Sequence, residues 1–297
     1  MNTIELNTIL NIRAEEGLKN LKDESIDIVI TSPPYDNIRN YNNDDTNVEN
    51  NSEFDIDIIV NELYRVLKKG GVVIWVVADQ TDKASESTTS FHQAINFNKI
   101  GFKLYDTMIF EKQNPTPQTH KRYEQSFEYI FMFTKGKPKT TNIIAEKSKH
   151  SGKKRYNHTY RHDKNDKLSP QHKGGEVSEY KIKNNIFKYV VGKSEKYADI
   201  VKRDHPAKFP IELVRDQLLS WSNEGDTVLD PFSGSGTTAI VAILTNRNYI
   251  GFEKNNEYVE RSNRYIDIVK DKIKNDDESI RNFNKDLSNI RYKEFNK

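Results

Sequence analysis

The feature that most constrains the fold is a hydrophobic run that leads directly into a glycine-rich turn. Residues 228–238 read Val-Leu-Asp-Pro-Phe-Ser-Gly-Ser-Gly-Thr-Thr. A strand, a glycine turn and a helix in this order favour a ligand site, because glycine lets backbone amides approach a ligand and the helix N-terminus attracts negative charge. No lysine follows Gly236, which disfavours a Walker phosphate loop. An ordinary strand-to-helix turn is the alternative.

Glu253 strengthens the ligand interpretation of this turn. It ends the next predicted strand, Tyr249–Glu253, about 20 residues after the glycines, where a doubly wound nucleotide site carries its ribose-binding carboxylate. The alternative is a surface residue with no ligand. Turn and carboxylate together predict a nucleotide-like cofactor.

A second motif follows a β-branched run near the N-terminus. Residues 25–30 are Ser-Ile-Asp-Ile-Val-Ile, and residues 31–35 are Thr-Ser-Pro-Pro-Tyr. Consecutive prolines end a central strand and stiffen a loop at its carboxyl end, the edge where open α/β sheets bind ligands. The Ser32 hydroxyl and the Pro33 carbonyl can then accept hydrogen bonds from one amino group, while Tyr35 stacks on a planar ring. A structural Pro-Pro turn with a packed tyrosine is the alternative.

The remaining periodicities predict alternating helices and strands, which is the pattern of a mostly parallel α/β sheet. Residues 36–57 are rich in Asn and Asp and predict a mobile loop. The predicted helices are Ile58–Leu67 (ending at Gly70-Gly71), Phe91–Phe97, Ile211–Trp221, Thr237–Thr245 and Glu257–Lys270, with a helical or frayed tail from Asp271. The predicted strands are Val72–Val77, Phe102–Phe110, Phe127–Phe133, Thr227–Asp230 and Tyr249–Glu253.

The charge is unevenly distributed along the chain. Residues 138–208 hold 18 Lys and Arg against 8 Asp and Glu, a net +10, so the remainder carries −8 in a chain whose total is +2. Five of the seven histidines, His150, His158, His162, His172 and His205, also lie there. Such a block suits a phosphate-facing module, and a lysine-rich solvated loop is the alternative.

Composition excludes several classes of chemistry. The 297 residues contain no cysteine, so disulfides, thiolate metal sites and a cysteine nucleophile are absent. The histidines lack regular ligand spacing, so no metal is expected. No apolar stretch reaches the roughly 18–20 residues of a membrane span, and the first residues lack the pattern of an export signal. A cytoplasmic protein of a bacterium, archaeon or virus is expected.

The two motifs together resemble the amino-methyltransferases that make N4-methylcytosine or N6-methyladenine in DNA. The catalytic motif precedes the cofactor motif, which is the permuted order of their β class. The resemblance covers about residues 25–260 apart from most of the basic block. Its further elements are Asp27–Ile30, Leu63–Gly71, Phe110–Pro115, Glu128–Ile130 and His205–Pro210.

The resemblance implies a doubly wound, Rossmann-like sheet of about seven strands, mostly parallel with an antiparallel hairpin. It also implies an inserted target-recognition region. The predicted division is a catalytic half at 1–137, the recognition insert at 138–204, a cofactor-binding half at 205–270 and a charged extension at 271–297.

The implied cofactor is S-adenosyl-L-methionine. The residues expected around it are Thr31, Asp230, Pro231, Phe232, Ser233, Gly234, Gly236, Thr237, Glu253, Phe209 and Pro210. Many relatives carry a Gly-Asp pair before the catalytic loop that lies near the cofactor adenine. Here that segment reads Arg13-Ala14-Glu15-Glu16, so Glu15 or Glu16 is expected to substitute.

The implied reaction is direct methyl transfer to the exocyclic amino group of a base flipped out of double-stranded DNA. Its catalytic residues would be Ser32, Pro33, Pro34 and Tyr35. Ser in the first motif position favours cytosine N4, with adenine N6 as the alternative. An RNA or protein methyltransferase and a non-catalytic DNA-binding module are the other candidates.

The resemblance also suggests a homodimer and a cognate restriction endonuclease that makes no physical contact. The expected DNA contacts are Arg122, Tyr123, Lys153, Lys154, Arg155 and Arg161, with Lys147, Lys149, Tyr156 and Tyr160 nearby.

Overall fold

The computed structural model describes residues 4–34, 54–82, 85–115, 117, 121–155, 160–170, 175–201 and 209–292. The α-helices in these ranges are α1 (Ala14–Lys19), α2 (Ile56–Val66), α3 (Thr89–Ile100), α4 (Ile211–Trp221), α5 (Thr237–Leu244), α6 (Asn256–Lys274) and α7 (Glu278–Asn289). The strands are β1 (Thr8–Asn11), β2 (Ile26–Thr31), β3 (Leu67–Val77), β4 (Thr81–Asp82), β5 (Ser85–Glu86), β6 (Lys103–Lys112), β7 (Phe127–Thr134), β8 (Ile144–Lys147), β9 (Lys154–Arg155), β10 (Tyr160–His162), β11 (Leu168–Pro170), β12 (Gly175–Glu176), β13 (Tyr180–Ile182), β14 (Ile186–Tyr189), β15 (Thr227–Asp230), β16 (Asn248–Glu253) and β17 (Arg291–Tyr292).

The central sheet has eight strands in the order β1-β16-β15-β2-β3-β7-β6-β14. Its strands are parallel except β7, which runs antiparallel to both β3 and β6. The predicted doubly wound, mostly parallel sheet with an antiparallel hairpin is therefore confirmed. The eighth strand, β14, comes from within the predicted insert and pairs in parallel with β6. Its alternating burial, with Phe187 and Tyr189 inside, matches a sheet edge that is covered on one face.

Helices cover the sheet on both faces. We call the face packed by α4, α5, α6 and α7 the α4 face; its core includes Leu218, Ile240 and Phe283. The opposite face, which we call the α2 face, is packed by α1, α2 and α3 and has its own core. Burial on both faces explains why the central strands are near-continuous apolar runs. None of the helices in the described ranges has both the length and the apolar character that crossing a membrane requires.

The predicted helix stop at Gly70-Gly71 was wrong. Helix α2 ends at Val66, and both glycines lie inside β3. Gly70 has φ +82° and its amide donates to the Lys135 carbonyl at 2.7 Å. A Cβ on Gly71 would lie 2.9 Å from the Asp27 carbonyl oxygen. The glycines are thus required by close backbone approach within the sheet, not by a helix cap.

The charged tail is more ordered than its composition indicates. Helix α7 buries Ile280 and Phe283 against the α4 face. Strand β17 then pairs antiparallel with β8 of the predicted insert, in a sheet of order β13-β8-β17. The C-terminal segment therefore connects the α4 face to the basic segment.

Candidate active site

Three neighbouring parallel strands end at the same edge of the sheet, and each brings one predicted site residue with it. Strand β2 ends at Thr31, β15 at Asp230 and β16 at Glu253. The sheet order β16-β15-β2 places the three ends side by side. The topology therefore unites the two sequence motifs, 199 residues apart, at the carboxyl edge where such sheets bind ligands.

Asp230 is the acceptor that connects these motifs. Its Oδ1 accepts from the Thr31 hydroxyl at 2.7 Å and from the Phe232 amide at 3.1 Å, and its Oδ2 accepts from the Thr238 hydroxyl at 2.6 Å. The residue is only 6% exposed. Burial raises its pKa to about 6, and the hydrogen bonds from Thr238, Thr31 and Phe232 oppose that rise. Asp230 is thus a buried carboxyl group whose orientation is set by three donors.

The glycine turn is oriented by Glu253. Its carboxylate accepts from the Gly234 amide at 2.9 Å and from the Asn255 amide at 2.8 Å. Burial raises the pKa of Glu253, and those backbone hydrogen bonds lower it. Gly236 caps α5 with φ +73°, and a Cβ there would lie 3.0 Å from Cβ of Ser262. The turn therefore needs glycine both for its dihedral angle and for its contact with α6.

Ser233 carries an unused polar atom within this turn. Its amide donates to the Phe252 carbonyl at 2.8 Å, but in the described ranges its Oγ is the one buried side-chain polar atom without a hydrogen-bond partner. A Cβ on Gly251 would lie 2.8 Å from this Oγ, so the adjacent strand must stay unsubstituted. Because buried hydroxyls normally have partners, the turn suits a ligand that has polar groups.

An aromatic group borders the turn on the α2 face. Phe232 contacts Phe54 with ring centroids 5.0 Å apart and Trp75 at 6.4 Å. Phe54 was not among the predicted site residues, although it stands next to Asp55, the N-cap of α2, where hydrophobic staple residues occur. The amide of Asp55 donates to Glu15 Oε1 at 3.3 Å, so Glu15 lies on this side of the site. Glu16 is exposed.

The predicted catalytic loop begins after Thr31, which is held by Asp230. Ser32 and Pro34 are half-buried and Pro33 is buried, while Tyr35 lies outside the described residues. On the α4 face, Phe209 packs against the core.

Three further residues of the predicted cofactor set are buried. Pro210 is buried and precedes α4, and its carbonyl accepts from the Leu213 amide at 3.1 Å. Pro231 and Thr237 are buried beside the glycine turn.

The predicted DNA contacts lie away from the glycine turn in sequence, and the structure describes only some of them. Lys153 and Lys154 are exposed, and Tyr123 is fully exposed. Arg122 lies 3.9 Å from Glu86. The side chains of Arg155 and Arg161 are outside the described set.

Two of the five histidines of the basic block fall within the described ranges. His150 and His162 are exposed, and His162 Nδ1 lies 2.8 Å from Asp166 Oδ1. Among the residues described, no group of His, Asp and Glu could hold a metal ion.

Comparison with known proteins identifies the family of the chain. The model of the N6/N4 family described as DNA methylase matches residues 26–264. Orphan methyltransferase M.BamHII of Bacillus amyloliquefaciens is 45% identical over 86% of this chain and 92% of its own length. DNA adenine methyltransferase YhdJ of Escherichia coli K12 is 29% identical over 89% of this chain and 84% of its own. Among solved structures, the cytosine-N4-specific PvuII DNA methyltransferase has a TM-score of 0.62 at 20% identity, covering 90% of this chain and 93% of that one. The family match spans most of the chain, including both motifs that meet at Asp230, and the chain therefore belongs to the N6/N4 DNA methylase family.

Proposed function

We propose that this protein moves a methyl group from S-adenosyl-L-methionine to the exocyclic amino group of a flipped base in double-stranded DNA, with cytosine N4 as the target. The observation that carries the proposal is the 2.7 Å hydrogen bond from Thr31 to Asp230. It joins the strand end that leads into the catalytic loop to the strand end that leads into the glycine turn. Donor and acceptor sites would then be held at one edge.

The cofactor half fits S-adenosyl-L-methionine. The unpartnered Ser233 hydroxyl and the glycine turn offer polar contacts in a confined space. Glu253 already accepts two backbone amides, and a carboxylate has further lone-pair sites with which to accept ribose hydroxyls. Phe232 supplies an apolar side. When bound, the cofactor supplies an electrophilic methyl group on a sulfonium.

The remaining residues of the cofactor set close the site. Thr31, Asp230, Pro231, Gly234, Gly236 and Thr237 would line the methionine part, and Phe209 with Pro210 would close the α4 side.

The catalytic loop acts on a weak nucleophile. An exocyclic amino nitrogen delocalises its lone pair into the ring. The Ser32 hydroxyl and the Pro33 carbonyl accept its two hydrogens and favour a pyramidal nitrogen, and Pro34 keeps the loop stiff. Tyr35 stacks on the base. Acceleration comes from positioning and aligned dipoles, without a covalent enzyme intermediate.

Ser32 supports cytosine over adenine. Serine in this first motif position is the form seen more often in the cytosine-N4 enzymes that the chain resembles, and its hydroxyl can accept from the amino group and also donate to the adjacent ring nitrogen, whereas an ionised aspartate only accepts. The family name covers both N6 and N4 amino groups, so adenine N6 is the alternative target.

The basic segment is the proposed DNA-binding region. Residues 138–208 carry a net +10, and Lys153 and Lys154 are exposed within them. Arg122, Tyr123, Arg155 and Arg161 would add contacts to phosphates or base edges. The division into a catalytic half (1–137), a recognition insert (138–204), a cofactor half (205–270) and an extension (271–297) is part of this proposal. The homodimer and the separate restriction endonuclease stay predictions.

One experiment decides the function and the base. Plasmid DNA is incubated with the protein and methyl-labelled S-adenosyl-L-methionine, digested to nucleosides and analysed by mass spectrometry. N4-methylcytosine is expected, and N6-methyladenine would replace the base assignment. Label in RNA but not in duplex DNA would favour an RNA methyltransferase. Absence of cofactor binding by calorimetry would favour a non-catalytic DNA-binding module.

A further inference from the structure

A partly buried ion pair lies at the carboxyl edge of the sheet, beyond the catalytic loop. Lys112 Nζ is 2.7 Å from Glu128 Oε1, and the two side chains are 22% and 9% exposed. Lys112 is the last residue of β6 and Glu128 the second residue of β7. Since β7 runs antiparallel to β6, the end of one strand and the beginning of the other meet at this edge.

The pair lies on the α4 face. Lys112 follows Met108 and Phe110 at two-residue spacing, and Glu128 precedes Ile130 by two. Met108, Phe110 and Ile130 belong to the α4-face core, and side chains at this spacing share a face. The partly buried Phe209, before α4, packs against that same core. The pair and Phe209 therefore lie on the same face of the sheet.

The ion pair lies near the strand that leads into the catalytic loop. Thr31 pairs with Trp75 across β2 and β3, and Trp75 pairs with Phe131 across β3 and β7. Only β3 separates the strand that carries the catalytic loop from the strand that carries Glu128. Strand β7 is two inter-strand spacings, roughly 10 Å, from β2, and β6 is three. Because Lys112 Nζ reaches back to Glu128, its ammonium lies over β7, at a distance from the loop that one planar base could span.

A neighbouring Lys–Glu pair forms at the same edge while its side chains stay more exposed to solvent. Glu111 and Lys188 pair at 3.0 Å one position along β6, on the opposite face, with side chains 31% and 58% exposed. Taking an ion pair out of water costs free energy that its mutual attraction often fails to return. The Lys112–Glu128 pair, which is less exposed than the Glu111–Lys188 pair, therefore gains less stability from its attraction than it loses in hydration.

We propose that Lys112 recognises the flipped base and that Glu128 is its positioning residue; this rests on the proposed function. Ser32 and Pro33 occupy the amino hydrogens, so the base still presents its ring acceptors. Beyond N3, toward which Ser32 can donate, cytosine presents the O2 acceptor on the same edge, whereas adenine presents a C2–H group beyond N1. An ammonium with three donors complements the cytosine edge better. The ion pair thereby selects cytosine against adenine.

The test measures base preference in substrates that flip with equal ease. The recognised sequence is first mapped on DNA modified by the wild-type enzyme. Duplexes then carry cytosine or adenine at the target, each opposite an abasic site, because an unpaired base leaves the stack at low cost. The kcat/KM is measured for wild type, Lys112→Met and the double variant Lys112→Met/Glu128→Gln. In Lys112→Met, the buried Glu128 carboxylate loses its counter-ion and could destabilise the fold. The double variant replaces that carboxylate with a neutral amide. Lys135→Met/Glu24→Gln, which removes a Lys–Glu pair at 3.2 Å outside the basic segment, at the opposite edge of the sheet, is the matched control.

Both test variants are expected to lose about 10- to 100-fold in kcat/KM on cytosine, the size of one good polar base contact, and less than about 3-fold on adenine. Cofactor binding by calorimetry should not change, and the control should match the wild type. An unchanged cytosine-to-adenine ratio, an equal loss on both bases, or a wild-type preference for adenine would overturn the inference while leaving DNA methylation intact. A wild type that methylates no DNA would instead refute the proposed function on which it rests.

Discussion

The hydroxyl of Thr31 donates a 2.7 Å hydrogen bond to Oδ1 of Asp230, and both residues are buried. This contact is the direct side-chain bond between the strand ends that carry the two sequence motifs. The position of the proposed catalytic loop therefore depends on the carboxyl group of Asp230, which also accepts from Phe232 before and Thr238 after the glycine turn. A substitution in one motif is therefore expected to shift the position of the other motif.

Thr31→Val tests this coupling. It removes the hydroxyl, while Asp230 keeps its donors Phe232 and Thr238. We expect a loss of about 1–3 kcal/mol in the free energy of unfolding, the cost of leaving a buried acceptor short of a donor. The kcat should fall more than cofactor affinity, because the loop shifts relative to the turn. Denaturant unfolding, calorimetry and methylation rates measure the three quantities. Thr245→Val, at the far end of α5, is the control, and equal loss of kcat in both variants would contradict the coupling.

Asp230 makes stability fall as pH rises. Its pKa is about 6 in the folded protein against 3.8 ordinarily, so between these values the folded state binds more protons than the unfolded state. Its contribution to the free energy of unfolding is fully present below about pH 4 and declines by about 3 kcal/mol as pH approaches 7. Asp230→Asn lacks this decline. Its stability relative to the wild type should therefore rise from pH 4 to pH 7 in urea titrations, while cofactor affinity falls. Parallel stability curves for the two proteins would show that Asp230 does not titrate in this window.

Gly236→Ala separates dihedral strain from steric contact. Gly236 has φ +73°, and an added Cβ would lie 3.0 Å from Cβ of Ser262. Gly225 has a similar φ of +82° with nothing within 4 Å of an added Cβ. Both variants should lose about 1 kcal/mol or more from the left-handed dihedral angle. Thermal unfolding should show a larger loss for Gly236→Ala, together with weaker cofactor binding. Equal losses would mean that α6 moves aside freely.

A buried charge network attaches the basic segment to α4. Asp216 accepts from Lys183 and from the Tyr189 hydroxyl, both at 2.9 Å, and from Arg215 Nη2 at 2.7 Å. Asp216→Ala leaves buried cations without their counter-ion and should cost about 3–5 kcal/mol of unfolding free energy. Glu146→Ala removes half of an exposed pair with Lys181 and should cost less than about 1 kcal/mol. Chemical denaturation compares the two, and similar losses would contradict the structural role of the network.

Two exposed lysines test the DNA-binding region. Lys153→Ala/Lys154→Ala should weaken duplex binding and reduce the slope of log affinity against log salt by up to about 2, since each phosphate contact contributes about 0.9. Fluorescence anisotropy across a salt series measures both. Lys19→Ala/Lys22→Ala, exposed at the other end of the chain, removes the same charge. A slope that falls equally in both variants would indicate a diffuse charge effect and not a contact region.

The amino-acid sequence by itself determined the elements whose signals are local. The helix Ile211–Trp221 and the strand Thr227–Asp230 were predicted with the bounds that the structure has, because apolar spacing and turn residues mark them along the chain. The residues of the cofactor turn and of the catalytic loop were likewise visible as motifs, and so was their family.

Only the tertiary structure decided how distant segments meet. Strand β14 could not be assigned to the sheet, because its partner Phe110 is 77 residues from Phe187 and lies on another strand. Gly70 and Gly71 were predicted to end a helix, because their approach to the backbone of Lys135 and Asp27 is visible only in the folded sheet. The contacts of Thr31 with Asp230 and of Lys112 with Glu128 depend on strand order and register, which are set by burial over the whole sheet and not by neighbours in the chain.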